Sequence, residues 1–224
     1  MRKFERVQTE VRRSSLIEAT ARVLARDGAS GASVRAIAAE AKVSPGLVTH
    51  HFASVDTLVA CTYADVAERV AVALATATAA AGDDPRARLE AYVAGSFAPP
   101  VADPSLLATW TALWGLTRSN AAASAEHDRS YAAYRSALES LLTACGVPAG
   151  ELRLTALSIA ALVDGLWLEL CLSPGGFTAD EARFVSTRHL AHLLGTSDGR
   201  SERATGEQSQ RRTIVRSRRR RGSE

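Results

Sequence analysis

Hydrogen-bonding side chains are concentrated near the end of the stretch from Ser33 to Phe52. Thr49, His50 and His51 follow one another there, directly after the last apolar residues of a short helical pattern. Neighbouring residues on a helix point about 100° apart, so the two histidines cannot share a metal ion. Short side chains with hydrogen-bond donors on the surface of a helix can bind the phosphate oxygens and base edges of duplex DNA.

The same stretch has the pattern of two short helices joined by a tight turn. Ser33 is placed to cap the first helix, and Ser44 is placed to cap the second, with Pro45 at its first position. The second helix has Leu47 and Val48 on its apolar side. The first has four apolar residues at helical spacing, Val34, Ile37, Ala38 and Ala41. This pattern predicts a helix-turn-helix whose second helix enters the major groove of DNA.

Catalytic and metal-binding patterns are absent from the sequence. His127 and Asp128 lie beside Ser130, but neighbours in sequence do not form a catalytic triad by themselves. No phosphate-binding loop or dinucleotide-binding glycine motif occurs. The three cysteines follow no metal-ligand spacing and are expected to be reduced thiols, Cys61, Cys145 and Cys171. We therefore expect a protein that is not an enzyme and needs no metal and no cofactor.

The composition favours helices over strands. Alanine and leucine dominate the 224 residues, only 5% are aromatic, and no alternating strand series with hairpin turns occurs. The predicted fold class is all-α, with a three-helix N-terminal helix-turn-helix domain, a larger helical domain and about nine helices. No signal peptide and no run of about 18 apolar residues is found, so we expect a cytoplasmic protein with no membrane partner.

Local start and stop signals predict where the helices begin and end. Gly28 is expected to end the first helix, and Asp56 to cap the fourth. Two Asp-Pro pairs open the fifth and sixth helices, and Thr178 with Glu181 forms a capping box for the ninth. The expected helices outside the helix-turn-helix are 9–27, 56–81, 85–97, 104–117, 121–144, 150–172 and 178–194.

Charge divides the chain into three parts. Residues 1–56 have nine basic against six acidic residues, residues 57–195 nine against fourteen, and residues 196–224 nine against four. This distribution predicts a DNA-binding domain over 1–56, an acidic helical domain over 57–195 and a disordered arginine-rich tail over 196–224. The run Arg218 to Arg221 is either a solvated tail or a source of non-specific phosphate affinity.

The segment from Leu16 to Leu58 resembles the N-terminal domain of TetR-family transcriptional regulators. The matching residues are Ile17 and Ala19, Gly28, Ile37-Ala38, Val43-Ser44-Pro45-Gly46, Phe52 and Leu58. The resemblance implies a sequence-specific, DNA-binding transcriptional regulator. It further implies a repressor that a small-molecule effector, bound in the C-terminal domain, releases from a palindromic operator.

The second half resembles the BetI branch of that family, whose members resemble repressors of choline-to-betaine genes. The similarity lies in Ala161 to Leu168, in the Trp110/Trp114 pair and in the ending His50-x-Phe52. Four positions depart from the usual family pattern, which has an aromatic at Thr49, often Tyr at His51, Gly at Lys42 and Lys at Val55.

On DNA we expect a division of labour between two groups of side chains. The first group would hold phosphates and set the register: Arg12, Arg13, Ser33, Lys42, His51 and Thr57. The second would lie near base edges: Arg35, Ser44, Pro45, Thr49 and His50. For each residue the alternative is a solvated helix face.

The eighth and ninth helices are the expected homodimer surface. The eighth is apolar nearly all round, and such a helix must be covered on both sides. Packing both helices against a second copy would form a four-helix bundle. The alternative is burial of the eighth helix within one subunit.

Large aromatic residues predict an effector pocket in the C-terminal domain. They are Trp110, Trp114, Tyr131, Tyr134 and Trp167. Aromatic faces attract organic cations, and Glu126, Asp128, Asp164 and Glu169 are nearby acids, so a cationic effector is one possibility. The other possibility is that these aromatic residues are ordinary core packing.

The alternative function is that of a non-specific DNA-coating protein driven by the arginine-rich tail.

Overall fold

The computed structural model describes residues 2–173 and 175–195, and these form nine helices and no strands. The all-α prediction is therefore confirmed. The arginine-rich tail lies outside the described residues. The helices are α1 (Arg2–Gly31), α2 (Val34–Glu40), α3 (Pro45–His51), α4 (Val55–Ala80), α5 (Pro85–Gly95), α6 (Pro104–Leu116), α7 (Ala121–Ala144), α8 (Ala149–Leu172) and α9 (179–195).

The first three helices surround a small core of their own. Its buried side chains come from α1, α2, α3 and the loop that follows, and Leu58 from the first turn of α4 completes it. The other members are Leu16, Val23, Ile37, Ala38, Val48 and Phe52. The remaining helices share a larger core with α1, in which Tyr63, Phe97 and Leu113 are almost fully buried. Because α4 contributes to both cores, it connects the two parts of the chain.

Several helix boundaries differ from the sequence-based prediction. Helix α1 begins at Arg2 rather than Thr9. As predicted, its first helical segment ends at Gly28, which has the left-handed φ of 69°, and a second short segment continues from there to Gly31. The cap of α4 is Ser54 and not Asp56: the Ser54 hydroxyl accepts from the Thr57 N–H at 3.1 Å. Asp56 lies within the first turn of α4, where it accepts hydrogen bonds from Asn120, the cap of α7.

The predicted caps of α5, α6 and α9 form as expected. Asp84 and Asp103 accept backbone N–H groups at the starts of α5 and α6. At α9, the Glu181 carboxylate accepts from the Thr178 N–H at 2.7 Å, and the Thr178 hydroxyl accepts from the Glu181 N–H at 3.2 Å. Only neighbouring residues take part in these bonds, which is why local sequence predicts them.

Helix α8 is long and apolar enough to cross a membrane by length and composition alone, the one such helix among the described residues. The core helix of a soluble protein has the same properties. Its inner face lies in the larger core, through Ala156, Ile159, Ala160, Val163 and Trp167. Its outer face carries exposed leucines, among them Leu154 and Leu172.

Candidate DNA-binding surface and effector cavity

The short helix α3 presents most of the predicted base-contacting side chains to solvent. Pro45, Thr49 and His50 are exposed on it, and the Thr49 hydroxyl donates to the Gly46 carbonyl at 3.1 Å. Beyond α3, the exposed residues of the predicted set are Arg12, Ser33, Arg35, Lys42, Ser44 and Thr57. The arrangement is a helix-turn-helix with a polar outer face.

Two residues of the predicted phosphate-binding group are half-buried, Arg13 and His51. The Arg13 guanidinium donates to the His51 carbonyl at 2.6 Å and lies 4.2 Å above the centre of the Phe52 ring. Burial, together with the positive charges of its neighbours, lowers the pKa of His51, which leaves it uncharged near neutral pH. The Arg13 side chain, through the His51 backbone carbonyl and the Phe52 ring, therefore helps to hold α3 in place, a role that the sequence did not indicate.

The turn between α2 and α3 contains the one positive-φ residue other than glycine among the described residues. Lys42 has a φ of 56°, in the left-handed region. The Ser33 hydroxyl caps α2 by accepting from the Ala36 N–H at 3.2 Å. The Ser44 side chain makes no capping bond at α3. The charged side chain of Lys42 therefore lies in the turn between α2 and α3 and is exposed to solvent.

A cavity of about 360 Å³ lies between α4, α5, α6, α7 and α8. Four of the five predicted aromatic residues line it: Trp110, Tyr131, Tyr134 and Trp167. Trp114 is not in its wall, because its ring packs edge-on behind Trp110, with 6.5 Å between the ring centres. Tyr92 of α5 was missed and does line the cavity, stacked on Tyr134 at 5.6 Å.

Asp164 of α8 is a half-buried acid in the wall of this cavity. Burial raises its pKa to about 6, and the Tyr131 hydroxyl donates to its carboxylate at 3.0 Å. Glu126 also lines the wall but forms an ion pair with Arg129. Of the four acids named from the sequence, Asp128 and Glu169 do not line the cavity. At neutral pH Asp164 therefore gives the aromatic cavity a negative charge.

Two donors in the cavity wall have no hydrogen-bond partner. The Tyr134 hydroxyl and the Trp110 indole N–H are buried and unpaired, whereas the Trp167 indole N–H donates to the Ser96 carbonyl at 2.8 Å. Buried donors normally have partners. The Trp114 indole N–H and Nε2 of His189 are also unpaired and lie outside the cavity wall, so unpaired groups are not confined to the cavity.

The residues considered for catalysis do not form a catalytic arrangement. The Ser130 hydroxyl donates to the backbone carbonyl of His127 rather than to its ring, and the ring Nδ1 is hydrogen-bonded to the Tyr63 hydroxyl at 2.8 Å. Among the described residues, no group of three or more His, Cys, Asp or Glu side chains is placed to hold a metal ion.

Comparison with known proteins agrees with this architecture. Residues 16–62 match the family model of bacterial regulatory proteins of the tetR family. Residues 85–195 match the model of the C-terminal domain of BetI-type transcriptional repressors. The chain belongs to the TetR family. It is a DNA-binding transcriptional regulator, and its matched relatives have this non-enzymatic role.

Relatives of the TetR-family chain are similar over most of its length. The HTH-type transcriptional regulator BetI of Burkholderia thailandensis is 33% identical over 186 residues, which cover 83% of this chain and 94% of that protein. A crystal structure from Pseudomonas aeruginosa PAO1, assigned as a transcriptional regulator, is 40% identical with a TM-score of 0.76, covering 85% and 94% of the two chains.

A more distant structural neighbour shares the fold. It comes from Saccharomonospora viridis, is assigned as a transcriptional regulator and was crystallised in complex with choline. The two chains are 19% identical with a TM-score of 0.66, over 82% of this chain and 95% of the other.

Proposed function

We propose that this protein is a dimeric repressor that reads a palindromic operator with α3 and leaves it when a small organic cation fills the cavity. The observation that carries the proposal is the pairing of an exposed polar α3 with an aromatic, acid-containing cavity in one chain. Such a chain has separate surfaces for DNA and for an effector, as ligand-controlled binding requires.

A cationic effector is supported by the chemistry of the cavity wall. The faces of Trp and Tyr rings attract cations by about 0.5–2 kcal/mol each, and Asp164 supplies a negative charge beside Tyr131. The volume of about 360 Å³ leaves ample room for a small organic cation such as choline. The choline complex of the Saccharomonospora viridis relative adds support.

DNA contacts follow the division of labour predicted from the sequence, with one change of emphasis. Thr49 and His50 lie near base edges, while Arg12, Lys42 and Thr57 hold phosphates; Ser33, Arg35, Ser44 and Pro45 complete the surface. Arg13 and His51 act mainly by positioning α3, since the Arg13 guanidinium already binds within the protein. The protein works in the cytoplasm, where its DNA lies.

Dimerisation through α8 and α9 is supported by the large apolar side chains that these helices expose. They are Leu154, Leu157, Leu168, Leu172, Phe184 and Val185, each more than a third exposed. Apolar side chains concentrated in this way mark an interaction surface. A second copy covering them would form the four-helix bundle predicted from the sequence and would place two α3 helices for two half-sites.

The first experiment is selection of duplexes from a random DNA pool by the purified full-length protein at near-physiological salt. Enrichment of a palindrome, lost when choline is added, is the expected result. Recovery of unrelated sequences would instead favour the coating protein driven by the arginine-rich tail. Deletion of residues 196–224 separates the two functions, because site-specific binding should survive the deletion and non-specific coating should not.

A further inference from the structure

Two hydrogen-bonded pairs tie α7 to α4 on the side of the helix-turn-helix. The Asn120 amide donates to the Asp56 carbonyl at 3.2 Å and to the Asp56 carboxylate at 3.3 Å. The Tyr63 hydroxyl shares a hydrogen bond of 2.8 Å with Nδ1 of His127. The pairs are seven residues apart on both helices, or about two turns, so α4 and α7 run parallel and are joined at two levels.

The cavity opens between the same two helices immediately beyond the second pair. Its wall takes residues 64–75 from α4 and residues 126–137 from α7. An occupant that pushes α7 away from α4 therefore acts on two helices that are held together at one end. The resulting movement must be taken up at the two pairs, since packed helices shift as rigid elements.

The first pair reaches the DNA-binding part directly. Asp56 is two residues beyond Ser54, which caps α4, and four residues beyond Phe52, which ends α3. Leu58, two residues further on, lies in the small core beneath α3. Asn120 itself is only 3% exposed, and its Oδ1 caps α7 by accepting from the Ala123 N–H at 2.9 Å. Its position is therefore fixed to the first turn of α7.

We propose that Asn120 is the positioning residue through which occupancy of the cavity is transmitted to α3, by way of its bonds to Asp56. This inference rests on the proposed function for the identity of the two ligands. The hydrogen bonds between Asn120 and Asp56 are observed independently of that function. Asn120 does not line the cavity and is almost fully buried. It makes the start of α4 follow the movement of α7.

The informative variant is Asn120→Asp. A carboxylate still caps α7 by accepting from the Ala123 N–H, but it has no donor for Asp56 and carries a like charge beside it. Asn120→Ser is the second variant, since serine also caps helices and is too short to reach Asp56. Asp84→Asn is the matched control, because it exchanges the same two residue types at the cap of α5, which bonds only within α5.

The cavity can be filled without knowing the effector. Ala137→Trp places an indole into it from α7, and Val163→Phe does so from α8 if the first variant does not fold. Hydrogen exchange is then measured across residues 45–58 of the full chain, with Asn120 and with Asn120→Asp. We expect the indole to change exchange about threefold or more with Asn120 and not measurably with Asn120→Asp.

Operator affinity gives the second readout. The indole should weaken binding about 5–150-fold in the wild-type background and in Asp84→Asn, and less than about threefold in Asn120→Asp or Asn120→Ser. Equal effects in all backgrounds, or no effect on residues 45–58 with Asn120 present, would overturn the proposal. A wild-type protein that selects no palindrome would count against the proposed function alone, because the exchange experiment needs no DNA.

Discussion

The guanidinium of Arg13 lies over the Phe52 ring and donates to the His51 carbonyl, joining α1 to the last turn of α3. The two residues of the hydrogen bond are 38 positions apart in the chain. The carbonyl belongs to the end of the helix, where intrahelical donors are lacking. Arg13 thus holds the C-terminal end of α3 against α1.

Replacing Arg13 with alanine should lower the free energy of unfolding by about 2 kcal/mol, since a charged hydrogen bond and a cation–π contact are both lost. Arg12→Ala, at the exposed neighbouring position, should leave stability unchanged and reduce the salt dependence of operator binding by roughly one phosphate contact. Chemical denaturation and binding titrations at several salt concentrations measure the two effects. Equal stability of both variants would contradict the positioning role.

Thr49→Ala and His50→Ala should each weaken operator binding by about 1–3 kcal/mol without changing stability, because both side chains are exposed and we propose that they contact base edges. Thr76→Ala is the control: Thr76 is also an exposed threonine with a hydroxyl bonded to its own helix, but it lies in α4. Fluorescence anisotropy with the selected operator is the measurement. Unchanged affinity in both α3 variants would remove α3 as the reading helix.

Lys42→Gly should raise the free energy of unfolding by about 0.5–1 kcal/mol, because glycine adopts the left-handed φ of 56° without a steric cost. Lys42→Met removes the charge and keeps the strained backbone. If Lys42 holds a phosphate, both variants lose operator affinity to a similar degree while only the glycine variant gains stability. Affinity equal to that of the wild type in both would exclude a phosphate contact.

The raised pKa of Asp164 predicts a pH-dependent stability. Burial disfavours the charged carboxylate, so the folded state loses stability as pH rises through about 6. Between about pH 5 and about pH 7.5, the wild type should lose about 1–2 kcal/mol of its free energy of unfolding through this group. Asp164→Asn cannot titrate at this position and should not show that loss. Asp128→Asn, at an exposed position outside the cavity wall, is the control for denaturation curves measured at both pH values.

The same carboxylate should control the affinity for choline. Binding by the wild type is expected to weaken as pH falls below about 6, when Asp164 becomes protonated. The Asp164→Asn variant should bind weakly at every pH. Isothermal titration with choline across this range tests whether the charge of Asp164 contributes to binding, and pH-independent binding by the wild type would argue against a role for Asp164.

Leu154→Glu and Phe184→Glu should each convert the dimer to monomers, because they bury a charge in the proposed interface. Val72→Glu makes the same change at an exposed valine of α4 and should leave the dimer intact. Sedimentation velocity reports the oligomeric state. Dimers that persist in both variants would place the interface elsewhere.

The sequence by itself determined the helices and the DNA-binding motif. The periodicity of Ile37 and Ala38, the caps at Ser33 and Asp103 and the capping box at Thr178 depend on groups a few residues apart. Such local signals are complete within one segment of chain, so they predict the same structure wherever that segment is packed.

Only the tertiary structure decided which side chains share a site. Arg13 was expected on DNA and lies on Phe52, Tyr92 was not expected in the cavity and lines it, and Trp114 was expected there and lies behind its wall. The bonds between Asn120 and Asp56 span 64 residues. Burial, unpaired donors and shifted pKa values arise where distant segments pack together, and no pattern within a single helix records which segments those will be.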